Sequence, residues 1–183
     1  MTEDLIEPLQ PQVRSSIPEY LTKKEIKALM GVVDKEIGMH YIRNKALVHL
    51  ILYTGMRLKE IINLNWDDIC FEKNIIWVIS KKTGTKRAVP VNEDLKKVLL
   101  IHRADSLPGK NEAVFSGIHS QRLGAPSINR IIRDYAEKAG IKRSINFSVL
   151  RRTAIVLMVY SGMQFLNVCT VLGYRYNGPL KTF

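Results

Sequence analysis

The stretch YIRNKALVHLILYTGMRLKEIINLNWDDICFEKNIIWVISKKTGTKRAVPV, residues 41–91, decides the fold. Its opening, to residue 53, is largely apolar (Ala46, Leu47, Leu50, Ile51). It predicts a helix that stops at Thr54-Gly55, where glycine supplies the terminating turn. A shorter helix follows over residues 57–64. The period then changes. Residues 66–71, 75–80 and 87–91 predict three short strands, separated by turns at Glu72-Lys73-Asn74 and Lys82-Thr83-Gly84-Thr85. Pro90 has no N–H to give to a ladder, so the last strand lies at an edge.

Working outward, Thr22 and Glu25 have the spacing of a capping box, and Leu21 can staple against Ile26. Ile26, Leu29, Met30 and Val33 then share one helical face. Beyond the strands, helices are expected over residues 92–103, 126–139 (closed by Gly140), 148–160 and 164–172 (ended by Gly173). Ser148 is a natural N-cap for the third of these. The expected class is mainly α with a small three-stranded antiparallel sheet, α+β. Residues 1–16, with two prolines and no helical stripe, read as an arm or linker. Residues 17–183 read as one domain, large enough to bury a full core.

Composition narrows the function. The 183 residues carry a net charge of +11, with 46% hydrophobic and 25% charged residues, as expected of a soluble globular chain. Residues 17–183 hold 27 bases against 14 acids, a net of +13, which points to a polyanion such as nucleic acid. Cys70 and Cys169 are too few for a disulfide framework or a thiolate metal site. His40, His49, His102 and His119 lack metal-ligand spacing, and no glycine-rich phosphate loop is present. No metal or cofactor is expected. The acidic N-terminus excludes a signal peptide, and no apolar run approaches the ~20 residues of a membrane span. A cytoplasmic location follows as an expectation.

Charge is also unevenly placed. Residues 141–183 contain six bases and no acid. Arg151 and Arg152 open an otherwise apolar helix with no acid near them in sequence. A half-buried arginine needs a partner, and a bound phosphate would serve.

Four pieces now stand in order: Thr54-Gly-Met-Arg57-Leu-Lys-Glu60, the turn Lys82-Thr-Gly, Leu150-Arg151-Arg-Thr153, and Leu172-Gly-Tyr174. Together they resemble the catalytic domain of the tyrosine recombinase, or phage integrase, family, over about residues 18–183. The resemblance implies phosphoryl transfer on duplex DNA without metal or ATP. A tyrosine hydroxyl attacks the scissile phosphate, giving a 3′-phosphotyrosine and a free 5′-hydroxyl. By resemblance, Arg57 and Arg151 hold the non-bridging oxygens, a task suited to planar, always-charged guanidiniums. Lys82, on the hairpin turn, takes the place of the general acid that protonates the leaving oxygen. The basic neighbours Lys81, Lys86, Arg87, Arg152 and Arg175 are expected to touch DNA. Homo-oligomerisation on DNA into a tetrameric synapse is the family expectation, with a monomer in isolation.

Three positions depart from the family pattern. Ser148 and Tyr174 stand where family members carry histidines. A serine hydroxyl cannot act as a base near neutral pH, though it can donate to a phosphate oxygen; it can equally be a plain cap. Tyr174 can donate through its phenol or simply pack. Nine residues beyond Tyr174, where the nucleophilic tyrosine belongs, the residue is Phe183. An engineered replacement, a natural loss and a shifted register with another attacking tyrosine all compete. Tyr176 lies too close to the Leu172-Gly173 turn and Tyr160 ends a buried run, which favours a missing nucleophile. The chain also stops where family members continue into a further helix, and lacks an upstream clamp domain. An isolated catalytic domain or a compact member are both open. Two rival readings remain: an inactive relative that occupies or regulates recombination sites, and an unrelated helical DNA-binding regulator.

Overall fold

The computed structural model describes residues 19–38, 40–79, 84–106, 112–117 and 121–174. Its centre is α2 (Tyr41–Thr54), whose residues Ala46 to Leu52 are all buried. A helix apolar all round can only be stable when neighbours cover every face. Here α4 (Glu93–Asp105) and α6 (Phe147–Tyr160) pack on it, and α1 (Lys23–Lys35) bridges it to α5 (Ala125–Lys138). A short α3 (Leu58–Ile62) leads to the sheet, and α7 (Phe165–Leu172) packs on both α6 and the sheet. The mainly α architecture with one small sheet is therefore as read from sequence. No described helix is long and apolar enough to cross a membrane.

The sheet runs β1 (Ile69–Cys70), β2 (Ile75–Ile79), β3 (Lys86–Pro90) in that spatial order, antiparallel throughout. Ile76 faces Val89 and Ile75 faces Pro90, so Pro90 sits on an edge strand as expected. The first strand is shorter than expected. Trp66–Asp68 winds into a 3-10 turn instead, because Asp68 Oδ2 accepts the backbone N–H of Asn65 at 2.9 Å. Side-chain bonding of this kind competes directly with a ladder.

Helix α1 opens as its sequence predicts. Glu25 takes the Thr22 N–H at 2.7 Å, and the Thr22 hydroxyl accepts from the Glu25 N–H at 3.3 Å. Just before the cap, the Leu21 N–H donates to the Thr153 hydroxyl at 2.8 Å. Thr153 is fully buried in α6 and passes its own proton to Val149 O at 2.9 Å. One hydroxyl thus ties the start of α1 to the centre of α6.

The same Glu25 is gripped by Arg143, whose Nε and Nη2 donate at 3.0 and 3.1 Å. The Arg143 hydrogen bonds, aided by those from Thr22 against partial burial, hold the Glu25 carboxyl down at about 2. A depressed carboxyl stabilises the fold above its ordinary value of 4.5, and that stabilisation drains away as pH falls toward 2. Glu25→Gln should therefore lower stability at neutral pH and flatten the loss between pH 4.5 and about 2, read by thermal melts across that range.

Helix α6 starts one residue earlier than expected. Asn146, not Ser148, is its cap: Asn146 Oδ1 accepts from the Val149 N–H at 3.1 Å. Ser148 lies inside the first turn, exposed. The arm assigned to residues 1–16 lies outside the described residues.

Candidate functional site

The site is built on the end of α2. Gly55 there has φ +58, its N–H reaching back to Ile51 O. A Cβ at Gly55 would stand 2.9 Å from Leu172 Cδ2 and 3.6 Å from Ala154 Cβ, so α6 and α7 close directly over it. Gly55→Ala should cost ~1–2 kcal/mol for the left-handed backbone alone. For a chain of this size that lowers Tm by roughly 2–4 °C per kcal/mol, before the Leu172 contact is counted. A melt indistinguishable from the parent would contradict this packing.

The carbonyl of Gly55 accepts from Arg151 Nε at 2.9 Å, which aims that side chain across the turn. Two residues on, Arg57 stands in extended backbone as the cap of α3. Its N–H donates to Glu60 Oε2 at 2.7 Å, its Nη1 to Glu60 Oε1 at 3.2 Å and its Nη2 to Gly173 O at 3.0 Å. Arg57 also opens onto a groove of about 560 Å³ bounded by Trp77 and Ile79 of β2.

Both guanidiniums meet at Tyr174. The Arg57 Cζ is 5.6 Å and the Arg151 Cζ 5.8 Å from the Tyr174 ring centroid. Arg151 Nη2 donates to the phenol oxygen at 3.2 Å. Among the described residues no carboxylate forms an ion pair with Arg151; its acceptors are a carbonyl and a phenol. Two fixed cations, one of them without an acid, share one partly exposed spot. An oxyanion with several acceptor oxygens suits that arrangement.

Glu60 keeps Arg57 in place. Only 12% of its side chain is exposed, and Arg87 grips it with both fork nitrogens at 2.9 and 2.8 Å. Burial alone would raise the Glu60 carboxyl. The Arg87 hydrogen bonds, the Arg57 backbone N–H and the two positive charges outweigh it, so the carboxyl is lowered and stays ionised.

The remaining sequence candidates fall in several places. Ser148 lines a separate pocket of about 390 Å³ with Leu58, Asn129 and Arg133. Lys86 lies over the Trp77 ring at 4.2 Å. Arg152 Nε holds Glu19 O at 2.8 Å, at the start of the described body. Arg87, expected on DNA, is only 13% exposed, with its fork on Glu60 and its Nε on Val171 O at 2.9 Å. Lys81, Lys82, Arg175 and Phe183 lie outside the described residues. Glu60 was missing from the sequence candidates, although its spacing three after Arg57 was there to read.

Residues 19–177 match the phage integrase family. The chain is 30% identical over 172 residues to tyrosine recombinase XerA of Pyrococcus furiosus, covering 90% of this chain and 56% of that one. It is 29% identical over 171 residues to tyrosine recombinase XerC of Roseiflexus castenholzii, with 90% and 54% covered. It therefore spans about half the length of these curated relatives. The crystal structure of XerA recombinase superposes with a TM-score of 0.78 at 29% identity, over 87% of this chain and 57% of that one. XerH site-specific recombinase in a pre-cleavage complex with its difH substrate gives 0.73 at 26%, over 87% and 48%.

Proposed function

Because the chain belongs to the phage integrase family of tyrosine recombinases, we propose that residues 17–183 form a recombinase catalytic domain that seats a phosphate of duplex DNA between Arg57 and Arg151. The observation that carries this is the convergence of the two guanidiniums on Tyr174, within 6 Å of one ring. Fixed donors at that spot stabilise the charge that grows on the phosphate oxygens as the phosphorus becomes five-coordinate. No reorganisation is needed at the moment of reaction, since Gly55 O and Glu60 already hold the two side chains.

In this reading Lys82 gives its proton to the 5′ oxygen as the phosphorus–oxygen bond breaks. Ser148 and Tyr174, in the histidine positions, donate hydrogen bonds to the phosphate and supply no base. Lys81, Lys86, Arg152 and Arg175 touch flanking backbone. The attacking oxygen is the missing part: Phe183 brings a ring and no hydroxyl. The domain is then a DNA-binding cleft that positions a phosphate without forming the covalent intermediate. Assembly of copies on DNA, up to a four-fold synapse, belongs to the same proposal.

A second reading is favoured by three substitutions at once, Ser148, Tyr174 and Phe183: an inactive relative that occupies or regulates recombination sites. Both readings require DNA binding. A fluorescent duplex titrated with the protein should bind weakly, with Kd on the order of 10⁻⁴ to 10⁻⁶ M, and lose affinity steeply with salt as counterions are released. Tight, salt-insensitive binding would contradict both.

A further inference from the structure

Arg87 was expected among the DNA contacts, yet three elements converge on it. Its Nη1 and Nη2 clasp the Glu60 carboxylate from α3 at 2.9 and 2.8 Å. Its Nε takes Val171 O, one of the last carbonyls of α7, at 2.9 Å. Such carbonyls have no partner within their own helix. The Gly173 backbone, at φ +68, lies so close that a Cβ there would stand 3.1 Å from Arg87 Nε. Beyond Gly173 comes Tyr174, and Gly173 O is the acceptor of Arg57 Nη2. Arg87 itself belongs to β3.

We propose that Arg87 is a positioning residue that fixes Arg57 through Glu60 and the Gly173-Tyr174 turn through Val171, without touching DNA itself. Its donors on that side are committed, and a bidentate fork fixes both distance and plane as a lysine cannot. One side chain thereby keeps the hairpin strand, the first arginine and the tyrosine turn in register. The proposal deepens the function proposed above, but its first test is independent of DNA.

That test is hydrogen exchange of the guanidinium N–H groups, followed by heteronuclear NMR on the folded chain at fixed pH. In Arg87→Lys, exchange at the Arg57 guanidinium should quicken roughly tenfold or more, as loss of a charged hydrogen-bond network implies. Exchange at Arg151 Nε, held by Gly55 O, should stay as in the parent. A lysine that merely lowered global stability would speed both. If Arg87→Lys does not fold, Arg87→Gln, which leaves Glu60 in place, takes its part, and the same Arg57-only effect is expected. Unchanged Arg57 exchange, or equal acceleration at both arginines, overturns the proposal. Adding a short duplex to the parent gives the second arm. The Arg57 and Arg151 signals should move while that of Arg87 stays; a direct shift at Arg87 would return it to the DNA face and also overturn the proposal. Were no arginine signal to move, the phosphate cleft would be contradicted, and the exchange result would still decide the clamp.

Discussion

Incubated with a nicked duplex that traps cleavage, this chain should yield no covalent protein–DNA adduct, whereas Phe183→Tyr should yield one slowly. The parent result follows from chemistry: a phenyl ring has no oxygen with which to form a bond to phosphorus. The variant restores the hydroxyl, while Arg57 and Arg151, the pair proposed to hold the phosphate, already meet at Tyr174. The rate should stay low, because Ser148 and Tyr174 stand where the family pattern has histidines. A positioned acid or base contributes typically ~10²- to 10⁴-fold, so a slow but measurable reaction is the expected outcome. Gel-shifted adduct, mapped by mass spectrometry, is the readout. An adduct from the parent chain would mean that another tyrosine attacks. No adduct from Phe183→Tyr would favour the inactive DNA-binding relative.

In that Phe183→Tyr background, Arg151→Ala should slow adduct formation by about 10²- to 10³-fold, the effect of losing one preorganised oxyanion donor. Arg151 Nε donates to Gly55 O and its Nη2 to the Tyr174 phenol, with no carboxylate partner among the described residues. Removing it leaves no buried acid stranded, so the fold should survive and the loss should appear in the chemical step. Arg57→Ala should also slow the reaction, but with a cost in stability, since Glu60 then loses one of its two cationic partners. Comparing single-turnover rates with melting temperatures separates the two effects. Equal rates for Arg151→Ala and its parent would remove Arg151 from the reaction.

What the sequence made legible was local. Gly55 and Gly173 end helices in left-handed backbone, and a glycine after an apolar run is a direct signal of that. The Thr22–Glu25 box is another, because both partners lie within one turn. The order of motifs around Arg57 and Arg151 then pointed to a pair of side chains that tertiary structure brings onto one ring. What failed depended on competition or distance. Trp66-Asp67-Asp68 runs into Ile69-Cys70-Phe71 with no turn signal between them and reads as one strand, but the Asp68 carboxylate captures the Asn65 N–H first. Asn146 and Ser148 are both good caps two positions apart. The Phe147 N–H between them goes to Asn129 Oδ1 from α5, a tertiary contact invisible in sequence. Arg87 read as one more base beside a hairpin turn; its partner Glu60 is 27 positions away.

If Arg57 and Arg151 together hold a DNA phosphate, the salt dependence of duplex binding should show it most directly. Fluorescence anisotropy should be followed between about 50 and 200 mM salt for the parent chain and for Arg57→Ala with Arg151→Ala. The double variant, if shown by circular dichroism to be folded, should bind more weakly at low salt. Its slope of log affinity against log salt should be shallower by about 0.9 for each phosphate no longer neutralised. The same affinity and the same slope in both proteins would contradict the claim.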